Sequence, residues 1–212
     1  MLTITLIIVI ITCIISFTAF SNQKIMDDLI FYPPAVTNDK QWYRFITCGL
    51  IHADIGHLGF NMLSFFMFGK FVEEAFTDIF GSLSKALFVA LYVLALVVSL
   101  LPTFFKHKND YQYRSLGASG AVSAVVFAGI FLFPTLKIGL FILPPIIPGF
   151  IFAPIYLFIS AYLSKKGGDN INHSAHIWGS IFGVVFIIVA CYGFSNFDPI
   201  YNFIENIKAW FK

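Results

Sequence analysis

The sequence is poor in charged residues. Of its 212 residues only 11% are Asp, Glu, Lys or Arg, whereas a soluble domain carries about 25%. The formal net charge is +2 and the chain has no basic run, so it lacks the electrostatic footprint of a nucleic-acid-binding protein. The scarcity of charge excludes an ordinary soluble domain, and we expect no nucleic-acid partner.

Cysteine is also scarce. The three cysteines, Cys13, Cys48 and Cys191, are far apart in the sequence. Their spacing matches neither a metal site nor a disulfide framework. We interpret them as small apolar residues, and no pattern predicts a cofactor.

Apolar residues, by contrast, are abundant. They make up 58% of the chain, which includes 27 Phe, and the mean hydropathy is +0.85. A membrane-spanning helix needs about 20 apolar residues. The apolar stretches therefore predict six transmembrane helices, at about 2–20, 57–76, 85–105, 116–134, 146–163 and 171–193.

Two of these assignments involve an alternative or a break. A cleaved signal peptide is the alternative for residues 2–20, but the missing basic region and the long apolar run favour a retained helix. The apolar stretch 116–163 contains Lys137 as its only charge and is too long for one span. Its break is expected near Pro134 and Lys137, with Pro144-Pro145 and Pro148 marking a delayed return to the membrane.

The segments outside the spans suit the membrane surface. Residues 21–54 mix aromatic and charged side chains, which is typical of an interfacial segment. Residues 199–211 have one apolar face and predict a short interfacial helix. The sequence thus predicts an all-α membrane protein, residues 1–212 forming one domain: a six-transmembrane-helix bundle with a long interfacial loop between helices 1 and 2.

Four polar residues are expected at a similar depth in this bundle. Helices 2, 4 and 6 cross the bilayer in the same direction, and His57, Asn61, Ser119 and His176 all lie near the starts of these helices. Polar residues inside spans are costly and mark functional sites. The odd-numbered helices are expected to contribute almost nothing polar.

The spacing of small residues adds geometry to this cluster. Gly179 and Gly183 form a four-residue pair one turn after His176, and such pairs let helices approach closely. If the neighbour is the fourth helix, His176 reaches Ser119. A serine hydroxyl next to a neutral imidazole is an activated nucleophile.

An oxyanion formed at this serine would need hydrogen-bond donors. His57, Asn61 and the backbone N–H of Ser119 are the candidates. The predicted cores of helices 2, 4 and 6 contain no Asp or Glu, so a dyad of Ser119 and His176 is expected rather than a triad.

Each of these residues also has a plainer interpretation. The small residues around Ser119 are common at helix contacts, and Asn61 is a polar residue of the kind that joins membrane helices. His52 and His57 could be interfacial histidines, and His173 could be solvated or structural. His57, His173 and His176 could instead bind a metal, although no carboxylate or cysteine accompanies them.

Four motifs resemble those of the rhomboid intramembrane serine proteases. Gly117-Ala118-Ser119-Gly120 resembles the GxSG motif, and Ala175–Gly183 resembles AHxxGxxxG. His57–Asn61 matches HxxxN, His52 matches a further histidine, and Trp42-Tyr43-Arg44 resembles a WR feature with one residue inserted. The resemblance covers about residues 40–190, with the motifs in the family's order.

The resemblance implies an intramembrane endopeptidase that cleaves transmembrane substrates in the lipid bilayer without a cofactor. It implies a Ser119–His176 dyad, an oxyanion hole using His57 and Asn61, and involvement of the fifth helix in substrate access. A bacterial inner membrane is the simplest location for a bare six-helix core. The residues expected to support the site structurally are Gly117, Gly120, Gly179, Gly183, His52 and Arg44.

The chain departs from the family pattern in two respects. Many rhomboids have an aromatic residue four positions after the serine, whereas Ser123 stands there. The family's cytoplasmic N-terminus would also put fewer basic residues inside than outside, contrary to the positive-inside tendency. Inside would lie Lys70, Lys85, Lys137, Lys208 and Lys212, and outside Lys24, Lys40, Arg44, Lys106, Lys108, Arg114, Lys165 and Lys166.

Two other functions are alternatives to the protease. One is a catalytically inactive rhomboid-like protein that binds membrane helices. The other is a small transporter or metal-binding membrane protein. Covalent labelling of an activated serine separates both from the protease.

Overall fold

The computed structural model describes residues 2–139, 146–169 and 171–212, which are mostly helical. Two-residue strands β1 (Lys137–Ile138) and β2 (Ile147–Pro148) pair antiparallel. In chain order the helices are α1 (Ile4–Phe20), α2 (Gln23–Leu29), α3 (Pro33–Asp39), α4 (Arg44–Thr47), α5 (Ile55–Phe80), α6 (Ser84–His107), α7 (Ser119–Leu132), α8 (Gly149–Lys166), α9 (His173–Phe194) and α10 (Pro199–Trp210).

The long helices lie near the predicted apolar stretches, and their ends have local causes. Helix α5 begins after Asp54, whose Oδ1 accepts a hydrogen bond from the His57 N–H at 2.7 Å. Helix α7 begins at Ser119, three residues later than predicted, because Gly117 has a φ of +106°. The predicted break markers Pro144-Pro145 lie outside the described residues, as does Asn170.

The segment between α1 and α5 is folded. It contains α2, α3 and α4, and the side chain of Asn22 caps α2 by accepting from the N–H groups of Lys24 and Ile25. Phe31 forms a β-bridge with Ser115. The expectation of an all-α chain therefore missed this bridge and the β1–β2 pair.

Polar contacts at the helix ends define how the helices run. Glu73, near the end of α5, accepts hydrogen bonds from the N–H groups of Ile4 and Thr5, at the start of α1. Helices α1 and α5 are therefore antiparallel. At the opposite end of the bundle, Thr103 of α6 bonds to Asn172, which precedes α9.

Helix α7 lies at the centre of the bundle, and most of its residues are buried. It packs directly against α9. The two helices are so close that a methyl group at Gly179 or Gly183 would collide with the carbonyl oxygens of Gly120 and Ala124. Helix α8 differs from α7, since within it only Gly149 and Ser160 are fully buried.

Two helical stretches of the described residues are long and apolar enough to cross a membrane. One is Ile55–His107, which contains α5 and α6, and the other is His173–Phe194, which is α9. Helices α1 and α7 are shorter apolar helices.

Candidate active site

Ser119 is the first residue of α7, and its side chain meets a histidine from α9. The Nε2 atom of His176 lies 2.8 Å from Ser119 Oγ. His176 occupies the first turns of α9, a helix capped by the Asn172 side chain, which accepts from the Ala175 N–H at 3.1 Å. Two helix starts therefore bring the hydroxyl and the imidazole together.

The hydrogen bond depends on how closely the two helices approach. Gly179 lies one turn after His176, and Gly120 directly follows Ser119. Any side chain at Gly179 would strike the Gly120 backbone. The small residues thus set the distance between the helix axes that lets His176 reach Ser119.

Gly117 brings a second histidine close to Ser119. A methyl group at Gly117 would lie 2.9 Å from His57 Nε2, so this ring packs against bare backbone. His57 Nδ1 accepts from the Ala53 N–H at 3.4 Å. This bond assigns the proton to Nε2, which makes the nitrogen next to Gly117 a donor.

Asn61 is buried one turn after His57, with 3% of its surface exposed. Its Nδ2 donates to the His57 carbonyl at 3.0 Å. An amide nitrogen has two hydrogens, so this bond occupies only one of them.

His52 supports the loop in front of Ser119. The Ser16 hydroxyl donates to the Leu50 carbonyl at 2.9 Å and lies 3.0 Å from His52 Nδ1. Nδ1 must then carry the proton, and Nε2 accepts from the Ala118 N–H at 3.5 Å. Burial lowers the pKa of His52 to about 3, so the ring is neutral.

Arg44 has a structural position away from Ser119. It is buried, and its Nη1 donates to the carbonyls of Asp27 and Ile30 at 2.8 and 2.7 Å, while its Nε donates to Gln41. Arg44 thus joins α2 to α4 within the folded connection.

His173 is buried rather than solvated, with 7% of its surface exposed. Its Nε2 lies 2.9 Å from Asp169 Oδ2, and this bond lowers the pKa of the Asp169 carboxyl. The His173 ring meets the His176 ring edge-on, with centroids 5.8 Å apart. The Asp169 carboxylate is therefore linked to the His176 ring through His173.

Helix α8, in the fifth predicted span, contributes a residue that the sequence reasoning missed. The plane of the Tyr156 ring of α8 is inclined by 23° to that of the His176 ring, and its hydroxyl is 3.0 Å from Ser123 Oγ. The expectation that odd-numbered helices contribute almost nothing polar was wrong. A tyrosine inside a predicted span was the available signal, but its depth alone did not identify its neighbour.

The contact between Ser119 and His176 lies on the wall of a cavity of about 1460 Å³, which extends between α5 and α8. Ser119, His176, His57 and Asn61 all lie on its wall, together with many apolar side chains. Such a cavity suits an apolar peptide segment. Within the described ranges, no group of three His, Cys, Asp or Glu side chains has the arrangement of a metal site.

Residues 39–193 match the Rhomboid domain family. The chain is 32% identical over 157 residues to the rhomboid protein YdcA of Bacillus subtilis, covering 72% of this chain and 69% of YdcA. It is 29% identical over 162 residues to the rhomboid protease GlpG of Haemophilus influenzae, covering 75% of this chain and 77% of GlpG. It is also 27% identical over 174 residues to the mitochondrial RHOMBOID-like protein 12 of Arabidopsis thaliana, covering 76% of this chain and 50% of that protein.

Proposed function

The chain belongs to the rhomboid family of membrane proteins, and we propose that it is an intramembrane serine endopeptidase. The observation that carries the proposal is the 2.8 Å contact between Ser119 Oγ and His176 Nε2 on the wall of a largely apolar cavity. A serine hydroxyl paired with an imidazole is the arrangement that nucleophilic catalysis requires.

In the proposed reaction His176 Nε2 takes the proton of Ser119 as the hydroxyl oxygen attacks a substrate carbonyl. The resulting oxyanion is stabilised by His57 Nε2–H, by the Asn61 amide and by the Ser119 N–H. This N–H is at the start of α7, where helical N–H groups lack partners within the helix. His176 then protonates the leaving amine, and water hydrolyses the acyl-enzyme.

The proposed substrates are transmembrane proteins. A segment in the cavity must expose its backbone to Ser119, and only an unwound stretch of helix does so. We expect six membrane spans, α1 and α5 to α9, with a bacterial inner membrane as the simplest location.

Labelling with a fluorophosphonate probe tests the activated serine. Detergent-purified protein is compared with Ser119→Ala and His176→Ala, and cleavage of a transmembrane test substrate is measured in parallel. Ser195→Ala is the matched control, because Ser195 bonds to the Cys191 carbonyl at the far end of α9.

We expect labelling and cleavage in the wild type and in Ser195→Ala, and neither in the other two variants. Labelling that persists in Ser119→Ala would contradict the proposal. A folded wild type that neither labels nor cleaves would favour the alternative, an inactive rhomboid-like protein that binds membrane helices.

A further inference from the structure

The imidazole of His176 is in contact with an aromatic ring from α8. The ring centroids of Tyr156 and His176 are 6.5 Å apart, and the planes are inclined by 23°. Offset parallel rings at such separations attract each other. Tyr156 also lines the cavity that contains Ser119.

Tyr156 is itself held by contacts on α7 and α8. Its hydroxyl forms a hydrogen bond with Ser123 Oγ at 3.0 Å. Its ring packs against Phe127 of α7 at 5.5 Å and Phe152 of α8 at 5.7 Å between centroids. Contacts of the Tyr156 ring and of its hydroxyl group therefore both fix its position over His176.

The contact supplies something that the Ser119 bond does not. A hydrogen bond at Nε2 locates one atom of the imidazole but leaves the ring plane free to tilt around that atom. His173 meets the ring only edge-on, with an interplanar angle of 79°. A nearly parallel neighbour is what restricts the tilt.

We propose that Tyr156 is a positioning residue, anchored by Ser123, that holds the imidazole plane of His176 in line with Ser119. This inference rests on the proposed protease function. Helix α8 has only two fully buried residues. The contact through Tyr156 therefore makes the alignment of His176 depend on how α8 packs against α7.

The rate of fluorophosphonate labelling measures this role without a protein substrate. Small misplacements of a catalytic group reduce rates strongly, so Tyr156→Leu is expected to label about tenfold more slowly than the wild type. Its matched control is Tyr162→Leu, the same change at an exposed position of α8, which is expected to label at the wild-type rate.

The anchor is tested by a double-mutant cycle. Tyr156→Phe and Ser123→Ala each remove the hydrogen bond but leave a residue of similar shape. Each is expected to slow labelling by about threefold, and the double variant is expected to be no slower than either single variant.

Relocation of the ring separates positioning from packing. Ser123 is one turn after Ser119 on α7, and its Oγ touches the Tyr156 hydroxyl, so a ring from position 123 can occupy the space that Tyr156→Leu vacates. Ser123→Tyr combined with Tyr156→Leu is expected to recover most of the labelling rate and to show the same pH profile of labelling as the wild type. A purely structural role predicts a lower melting temperature and no recovery.

The inference is overturned if wild type and Tyr156→Leu label at equal rates, or if relocation recovers nothing in a folded protein. If Tyr156→Leu does not fold, equal rates for wild type, Tyr156→Phe and Ser123→Ala overturn it instead. A wild type that does not label at all contradicts the protease function itself, which is a distinct result.

Discussion

The hydroxyl of Ser119 and the imidazole of His176 are adjacent because each lies near the start of its own helix. Around them every histidine has a distinct role in the structure. His57 presents Nε2 to Gly117, His52 supports Ala118, and His173 is bonded to Asp169. His52 contacts Ser16 and Ala118. For His173 the sequence left a solvated or a structural position open, and its burial and its bond to Asp169 fit the structural one.

Asn61→Ala is predicted to reduce kcat by about 100- to 1000-fold, the usual effect of deleting one oxyanion donor, with little change in melting temperature. The matched control is Asn206→Ala, because Asn206 makes the same kind of bond, Nδ2 to the carbonyl four residues earlier at 2.8 Å, on α10. Cleavage kinetics on a transmembrane substrate provide the measurement. Unchanged turnover in a folded Asn61→Ala protein would remove Asn61 from the oxyanion hole.

His52 predicts a pH dependence of stability. Burial, reinforced by the nearby His57 and opposed by Asp54, lowers the pKa of His52 from 6.5 to about 3. The unfolded chain binds a proton below pH 6.5 and the folded protein does not until about pH 3. The stability from this group is thus complete above pH 6.5 and is lost as the pH falls towards 3.

His52→Gln should therefore melt at a lower temperature than wild type at pH 7.5, since it loses the bonds to Ser16 and Ala118. The difference should narrow as the pH falls to 4.5. Melting in detergent at several pH values measures it. Parallel curves over that range would show that His52 is not a buried neutral histidine.

At the scale of the elements, the contact between α7 and α9 decides whether the site exists. The two helices touch backbone to backbone at Gly120 and Gly179 and again at Ala124 and Gly183. Glycine at both positions of α9 makes this possible. The spacing of Gly179 and Gly183 in the sequence predicted a close neighbouring helix, and the structure identifies this helix as α7.

Gly183→Ala is predicted to destabilise the protein by about 1–3 kcal/mol, because the added methyl group forces the helices apart. Labelling of Ser119 should fall at the same time, since His176 lies on the displaced helix. Gly193→Ala on the same helix is the control, because a methyl group there meets nothing within 4 Å. Equal melting temperatures for the two variants would contradict the packing argument.

The start of α1 depends on one carboxylate of α5. Glu73 accepts from the Ile4 N–H at 2.8 Å, the Thr5 N–H at 3.0 Å and the Thr5 hydroxyl at 2.8 Å. A negative charge is favourable at a helix N-terminus. Glu73→Gln removes the charge and one acceptor, and we expect a loss of about 1–2 kcal/mol of stability.

The control for this change is Glu74→Gln, since the neighbouring side chain is exposed. Thermal unfolding in detergent should separate the two variants. If Glu74→Gln proves as destabilising as Glu73→Gln, the cap on α1 has no special role.

At the scale of the whole molecule, alternating helix directions place the ends of the chain. The α1 N-terminus lies beside the end of α5, and Asn202 of α10 donates to the Leu132 carbonyl at the end of α7. Both termini therefore lie at the end of the bundle away from Ser119. If the long helices span a bilayer, the site opens towards the side opposite the termini.

Single-cysteine labelling in sealed vesicles tests this arrangement. Lys108→Cys and Lys165→Cys should react with a membrane-impermeant maleimide from one side, and Lys212→Cys from the other. The native cysteines give little background, because Cys48 and Cys191 are buried and Cys13 is half-buried. Reaction of all three variants from one side would contradict six spans.

The sequence by itself determined the apolar segments, the family and the polar residues near the starts of predicted helices 2, 4 and 6. These are local or additive properties, since the partition of a segment into lipid depends on its own composition. Even the shared depth of Ser119 and His176 followed from counting helices. The number of spans stays a prediction, since in the part of the chain that the structure describes only two stretches are clearly long and apolar enough.

Only the tertiary structure decided which side chains meet. Whether Tyr156 faces His176, which nitrogen of His52 carries the proton and how the connection before α5 folds depend on helix rotation and on contacts between distant residues. A one-residue shift rotates a helical side chain by about 100°, while the apolar pattern barely changes. The sequence therefore located the dyad, and the packing of α7, α8 and α9 oriented it.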